Sequence, residues 1–208
     1  MLGRRTFLKL TAAFGATQMA TPMVGPANAE PIAPWIAKLL DAARAQIGVT
    51  TIYDPAYVAL SYPNGDVPRE RGVCCDVIIR AYRDAFGMDL QRLVHEDMKA
   101  NFSLYPKNWG LKRTDRNIDH RRVPNLETWM SRKRTALPVT ADAANFRPGD
   151  LFTQRLPGGQ PHIGIVSDRM NRDGSRPLVI HNIGAGAREE DILFAFKVVG
   201  HFRAAPVS

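Results

Sequence analysis

The 208-residue chain has little cysteine: it contains two, Cys74 and Cys75, and they are adjacent. Without a Cys-x-x-Cys pair it lacks the spacing typical of zinc sites and of thiol–disulfide oxidoreductases. Neighbouring thiolates rarely reach one tetrahedral ion together, and a disulfide between them strains the peptide while closing almost no loop. These arguments disfavour a metal site, redox exchange and a structural bridge, so we expect free thiols.

An uninterrupted apolar run long enough for a permanent membrane span is also missing. The first 29 residues are instead typical of an export signal, with Arg4-Arg5 before a mildly apolar stretch and a small-x-small cleavage motif ending at Ala29. The paired arginines favour the twin-arginine route; a general secretory signal or an uncleaved anchor are the alternatives. We therefore predict a periplasmic protein that is cleaved near Ala29 and has a single domain over residues 30–208.

The chain lacks the interleaved basic and aromatic residues of a nucleic-acid-binding surface, although it is basic. Its formal net charge is +8, and removing Arg4, Arg5 and Lys9 with the signal, which holds no acid, lowers this to +5. In the cell envelope such a charge favours contact with anionic wall polymers or lipid head groups. We expect no nucleic-acid partner and a possible anionic envelope surface.

The strongest local pattern is the helix that starts at the two cysteines. Apolar residues recur at intervals of three and four from Cys74 onwards, and the helix is expected to begin near Val73 and to end near Gly87. A thiol at the start of a helix feels the unpaired backbone N–H groups and the positive end of the helix dipole, which favour the thiolate. Cys74 is therefore the predicted nucleophile.

The remaining patterns predict helices in the first part of the domain and strands in the last. Short turns between the strands indicate an antiparallel meander, so the predicted fold class is α+β, with N-terminal helices packed on a small sheet. The predicted elements are helices at 31–46, 90–101 and 125–130, a loop at 50–66, a basic insert at about 105–135, strands at 151–153, 162–167 and 178–182, a loop at 187–191, and a final apolar segment at 192–199.

A thiolate nucleophile needs a base, and the base needs a polar group that orients it. His162 is predicted to open a strand and His181 to end the next strand, so antiparallel pairing brings them close together. Asn182 competes with His181 for the orienting role, because adjacent strand residues face opposite sides of a sheet. The predicted catalytic residues are Cys74, His162 and His181.

These motifs resemble those of the NlpC-type cell-wall peptidases, which are papain-like cysteine enzymes. The similarity lies in the helix-opening cysteine, the Pro-Gly-Asp-Leu strand, the strand opened by His162 and the strand ended by His181. The resemblance implies a papain-like fold, a Cys-His-His triad, and peptidoglycan or another wall peptide as substrate. We expect no cofactor and no metal. Cys75 departs from the family pattern, since it stands where serine or threonine is usual.

The segments 53–74 and 117–122 also resemble an exported bacterial branch of unknown function. Arginine pairs chelate carboxylate or phosphate well, although a basic run of this kind is more often a solvated surface. A non-catalytic envelope-binding module with the same fold is the alternative to a hydrolase. Six residues are predicted to bind substrate: Tyr53, Asp76, His120, Arg121, Arg122 and Asn182.

Overall fold

The computed structural model describes residues 32–206, so the predicted signal peptide lies outside the described residues. The helices are α1 (Pro34–Arg44), α2 (Cys74–Phe86), α3 (Leu90–Ala100) and α4 (Val123–Arg132). The strands are β1 (Ile52–Tyr53), β2 (Arg71–Gly72), β3 (Leu151–Arg155), β4 (Pro161–Met170), β5 (Pro177–Asn182), β6 (Ala187–Glu190) and β7 (Lys197–Phe202). The α+β prediction is thereby confirmed. No helix among the described residues is long and apolar enough to cross a membrane.

Helix α2 has the bounds that its sequence predicts. Val73 precedes it in an extended conformation, and the Asp76 carboxylate accepts a hydrogen bond from the Val73 N–H at 2.6 Å, which satisfies one of the free donors at the helix start. Gly87 ends the helix in the left-handed conformation, with φ of 65°, where glycine is favoured. Local residues thus define both ends of the helix that carries Cys74.

Strands β3 to β7 form one antiparallel sheet in the order β6-β5-β4-β3-β7. Two sequence predictions were wrong here. Residues 187–191 were expected to be a loop, but Ala187–Glu190 is an edge strand whose polar residues hide its strand character. The strands were also expected to form a simple meander, in which each strand pairs with the next one in the chain. Instead β7 pairs with β3, at the opposite edge of the sheet from β6.

Helix α2 lies against the sheet and is buried along most of its length. Val77, Ile78 and Ala81 pack in one cluster with α1 and with Ile163 and Ile180 of the sheet. Burying this apolar surface on both sides of α2 is the main source of stabilisation available to it. Cys74 is therefore held on one of the most constrained elements of the fold.

The segment from 105 to 135, predicted as a basic insert, contributes directly to this core. Leu126, Trp129 and Met130 of α4 are buried in the main cluster. A short 3-10 helix, Asp119–Arg121, is also buried, although each of its residues is polar. The charged residues of this segment therefore do not form a uniformly solvated surface.

The loop that leads into α2 is held by a fully buried arginine. Arg80 donates to the Asp66 carboxylate at 3.0 to 3.1 Å, to the hydroxyl of Thr50 at 3.0 Å and to the backbone carbonyl of Val67 at 3.0 Å. Residues 50–66 were predicted to be a loop, but they include β1, which pairs in parallel with β2 shortly before Cys74. These long-range contacts fix the chain where it enters α2.

Candidate active site

Cys74 is the first residue of α2, and its side chain is nearly buried, with 4% exposed. A hydrogen bond from the Cys75 thiol lowers the pKa of Cys74, burial opposes this, and the His162 imidazole and the Ile163 backbone N–H lower it further, to about 5. A thiol with this pKa is mostly thiolate at neutral pH. The position has the electrostatics of a reactive cysteine.

Cys75 is buried beside it but has the opposite character. Burial raises the pKa of Cys75 well above its ordinary value. The hydrogen bond to Cys74 and the negative charge of the Cys74 thiolate raise it further. Both residues are free cysteines. Cys75 therefore stays protonated and can act as a hydrogen-bond donor to the Cys74 sulfur.

His162 and His181 form the second half of the site. The Nε2 atom of His162 lies 3.1 Å from the Nδ1 atom of His181, and both rings are buried. Ile165 pairs with Ile180, so the two histidines lie near the same end of the β4–β5 pair. Because His162 uses Nε2 for this contact, its Nδ1 atom is left to interact with Cys74.

A cleft of about 180 Å³ opens over Cys74. This is smaller than the roughly 300–1,000 Å³ of pockets for drug-sized ligands, so it suits a short segment of a larger substrate. A nucleophilic thiolate beside an imidazole in such a cleft can carry out acyl transfer. Its lining includes Tyr53, Cys74, Cys75, Trp109, Arg121 and Arg122.

Residues 40–204 match the model of a protein family described as a domain of unknown function, DUF1287. The chain belongs to the DUF1287 family. It is also 55% identical, over 196 residues, to the uncharacterised protein YijF of Escherichia coli strain K12, and the match covers 94% of this chain and 95% of YijF.

The family match includes every residue of the site. Cys74, His162 and His181 all lie between residues 40 and 204, as do the residues that line the cleft. The site of this DUF1287 member is therefore built within the matched region.

Asp76 and Arg121, both predicted to bind substrate, are paired with each other. The Arg121 guanidinium donates through Nε and Nη2 to the two oxygens of Asp76, each at 2.9 Å, and its side chain is 2% exposed. Asp76 also caps the start of α2. The geometry gives this pair a structural role beside the cleft, since the charge of each group is already neutralised by the other.

Three other predicted residues have different positions. Tyr53 lines the cleft as expected of a substrate wall, and burial raises its pKa to about 12. His120 is buried outside the cleft lining, and burial lowers its pKa to about 3, which keeps it neutral. Asn182 donates to the Gly72 carbonyl at 3.1 Å and accepts from the Gly184 N–H at 3.1 Å, so it braces the backbone before α2. His181, and not Asn182, contacts His162.

Glu190 is a residue of the site that the sequence analysis missed. Its carboxylate lies 3.4 Å from the Nε2 atom of His181, an ion-pair distance, and this nitrogen has no hydrogen-bond partner among the described residues. The edge strand β6 carries Glu190, and the sequence analysis had placed this segment in a loop. Because this segment was predicted to be a loop, nothing indicated which of its side chains would face His181.

Proposed function

We propose that this chain is an exported cysteine hydrolase that cleaves an amide bond through an acyl-enzyme on Cys74. The observation that carries the proposal is the thiol of Cys74 at the start of α2, interacting with His162 while His162 contacts His181 at 3.1 Å. A nucleophile, a base and a group that orients the base are the three parts that such a reaction requires.

In the acylation step, the Cys74 thiolate attacks the carbonyl carbon of the amide and the C–N bond breaks. The proton that leaves with the amine comes from the imidazolium of His162. The backbone N–H of Cys74 is at the first position of the helix and has no acceptor within the helix, and its proposed role is to stabilise the oxyanion. The products of this step are a free amine and a thioester on Cys74.

In the deacylation step, water attacks the thioester while His162 removes its proton, and Cys74 leaves as the thiolate. His181 holds the ring of His162 by accepting a hydrogen bond at Nδ1, which requires its own proton to be on Nε2. Burial lowers the pKa of His181 to about 4, and the nearby charge of His162 adds to this effect, so His181 stays neutral. A neutral orienting residue leaves the second proton on His162, where the reaction needs it.

We further propose that the fold is of the papain-like NlpC type. The support is the order of its parts: a helix opened by the nucleophile, followed by antiparallel strands that carry His162 and His181. The proposed substrate is a peptidoglycan stem peptide or another wall peptide in the periplasm. Its support is the export signal predicted for residues 1–29 and the basic charge that would face an anionic wall.

The test is digestion of purified muropeptides by the mature protein, with mass analysis of the products. We expect product pairs whose masses together exceed the substrate by one water, and no such pairs with Cys74→Ala. Periplasmic fractionation and the N-terminal sequence of the exported protein test the location and the cleavage near Ala29. If no amide is cut and Cys74 is alkylated no faster than an ordinary thiol, hydrolysis is ruled out and the envelope-binding module is favoured.

A further inference from the structure

Arg122 lies in the wall of the cleft that contains Cys74. The carbon at the centre of its guanidinium is 4.0 Å from the centroid of the Trp109 ring, and both residues line the same cleft as the thiol. A guanidinium stacked on an aromatic face is held in one plane, so its edge is presented in a defined direction. Arg122 is therefore positioned for directional hydrogen bonding.

Arg122 forms a loose ion pair and, within the described part of the chain, leaves one of its hydrogen-bond donors unused. Its side chain is 16% exposed, and its Nη1 atom is buried without a hydrogen-bond partner among residues 32–206. The nearest carboxylate oxygen, Asp119 Oδ1, is 3.7 Å from Nη1, which is close enough for an ion pair but outside hydrogen-bond distance. Burial also raises the pKa of Asp119 to about 6, so this neighbour is only partly ionised in mildly acidic conditions.

The neighbouring arginine shows what a fully paired guanidinium looks like in this protein. Arg121 has two hydrogen bonds to Asp76 at 2.9 Å, and its charge is neutralised. Leaving a buried donor unpaired costs free energy, which a ligand that supplies an acceptor recovers. Since Arg122 is a cation as well as a donor, an anionic acceptor recovers more than a neutral one.

We propose that Arg122 binds a carboxylate of the substrate, so that the hydrolysed amide belongs to an acidic peptide with a free carboxylate near the scissile bond. This inference rests on the proposed hydrolase function and names its substrate class. The planar fork of a guanidinium matches the two oxygens of a carboxylate, and peptides carry such groups on side chains and at C-termini. The cleft of about 180 Å³ has room for one such group beside the reacting amide.

The test uses the reactivity of Cys74 and needs no knowledge of the natural substrate. The wild-type protein is alkylated with N-bromoacetyl-glycine and N-bromoacetyl-β-alanine, and with the uncharged amide of each, and the second-order rates are compared. For at least one of the two lengths we expect the carboxylate reagent to react about tenfold faster or more than its amide. Both reagents of a pair react with the same population of Cys74 thiolate, so the ratio of their rates does not depend on the ionised fraction.

Variants then test whether a preference for the carboxylate reagents depends on Arg122. Arg122→Gln should reduce the ratio to nearly that of a free thiol, and Arg122→Lys should retain part of it. Arg113→Gln is the control, because Arg113 is an exposed arginine of the same segment that does not line the cleft. Thermal unfolding of each variant checks that the fold is kept, and the comparison of reagents on the wild-type protein does not depend on any variant.

The outcomes separate this inference from the proposed function. If Cys74 reacts rapidly with every reagent but equally with carboxylate and amide, the hydrolase proposal stands and the carboxylate site is wrong. The same conclusion follows if the preference survives in Arg122→Gln. If Cys74 reacts slowly with all four reagents, both proposals fail.

Discussion

The His162 ring contacts the Nδ1 atom of His181 through Nε2, at 3.1 Å, and therefore has Nδ1 left for Cys74. The two ring nitrogens of His162 thus have different partners: Nε2 contacts His181 and Nδ1 is available to Cys74. The contact needs His181 in the tautomer with its proton on Nε2, the atom that lies 3.4 Å from Glu190. The four residues thus form a chain from Cys74 on α2 to Glu190 on the edge strand β6.

Replacing the nucleophile is the most direct prediction. Cys74→Ser should lower turnover of the cleaved muropeptide by on the order of 1,000-fold or more, because a serine hydroxyl is barely ionised at neutral pH. Cys75→Ser should keep most of the activity, since serine can still donate to the Cys74 sulfur. Rates are measured by product mass, and circular dichroism checks the fold. Full activity of Cys74→Ser would exclude Cys74 as the nucleophile.

The second prediction concerns the pH dependence of Cys74. With a pKa of about 5, the thiolate is present above that pH and is lost as the pH falls through it, so the alkylation rate should fall below about pH 5. Cys75→Ala removes the hydrogen bond that contributes most to this shift. Its alkylation profile should move to higher pH, while that of Cys75→Ser stays near the wild type. An unchanged profile in Cys75→Ala would show that Cys75 does not tune the nucleophile.

The third prediction tests the orienting role of His181. His181→Ala should reduce kcat by on the order of 100-fold or more, because His162 loses the acceptor that fixes its ring. His181→Asn should recover part of this loss, since an amide oxygen can accept the same hydrogen bond. Steady-state kinetics on a cleaved muropeptide measure both variants. If Ala and Asn at this position are equally active, His181 does not act by accepting a hydrogen bond.

The fourth prediction concerns Glu190, which favours the tautomer of His181 that His162 requires. Glu190→Gln should lower kcat several-fold with KM nearly unchanged, because the carboxylate contacts His181 and lies outside the cleft lining. Glu96→Gln is the control, since Glu96 forms an exposed ion pair with Arg92 on α3, away from His181. A Glu190→Gln variant with wild-type kcat would remove Glu190 from the site.

The fifth prediction separates structural from functional charges. Asp76→Ala should destabilise the fold by about 3–5 kcal/mol, because it leaves the buried Arg121 charge without its carboxylate partner. Arg71→Ala, which removes an exposed ion pair with Asp54, should cost at most about 1 kcal/mol. Urea unfolding measures both changes. A similar small loss for both variants would contradict the structural role given to Asp76 and Arg121.

The helix that carries the nucleophile was predictable because its signals are local. The apolar spacing from Cys74 onwards and the stop at Gly87 lie within fifteen residues, and the structure has α2 at Cys74–Phe86. The α3 bounds and the three central strands were predictable for the same reason. The edge strand β6 was missed because polar residues on both faces hide the alternation that identifies a strand.

The sequence by itself determined the chemical groups and the elements that carry them: a thiol at a helix start and two histidines on neighbouring strands. Only the tertiary structure decided which groups meet. In the structure His181, and not Asn182, contacts His162. Arg121 pairs with Asp76, 45 residues away, while Arg122 has a donor without a partner among the described residues. Local patterns record periodicity and turns, but side-chain partners depend on register and long-range packing, which no short window of sequence contains.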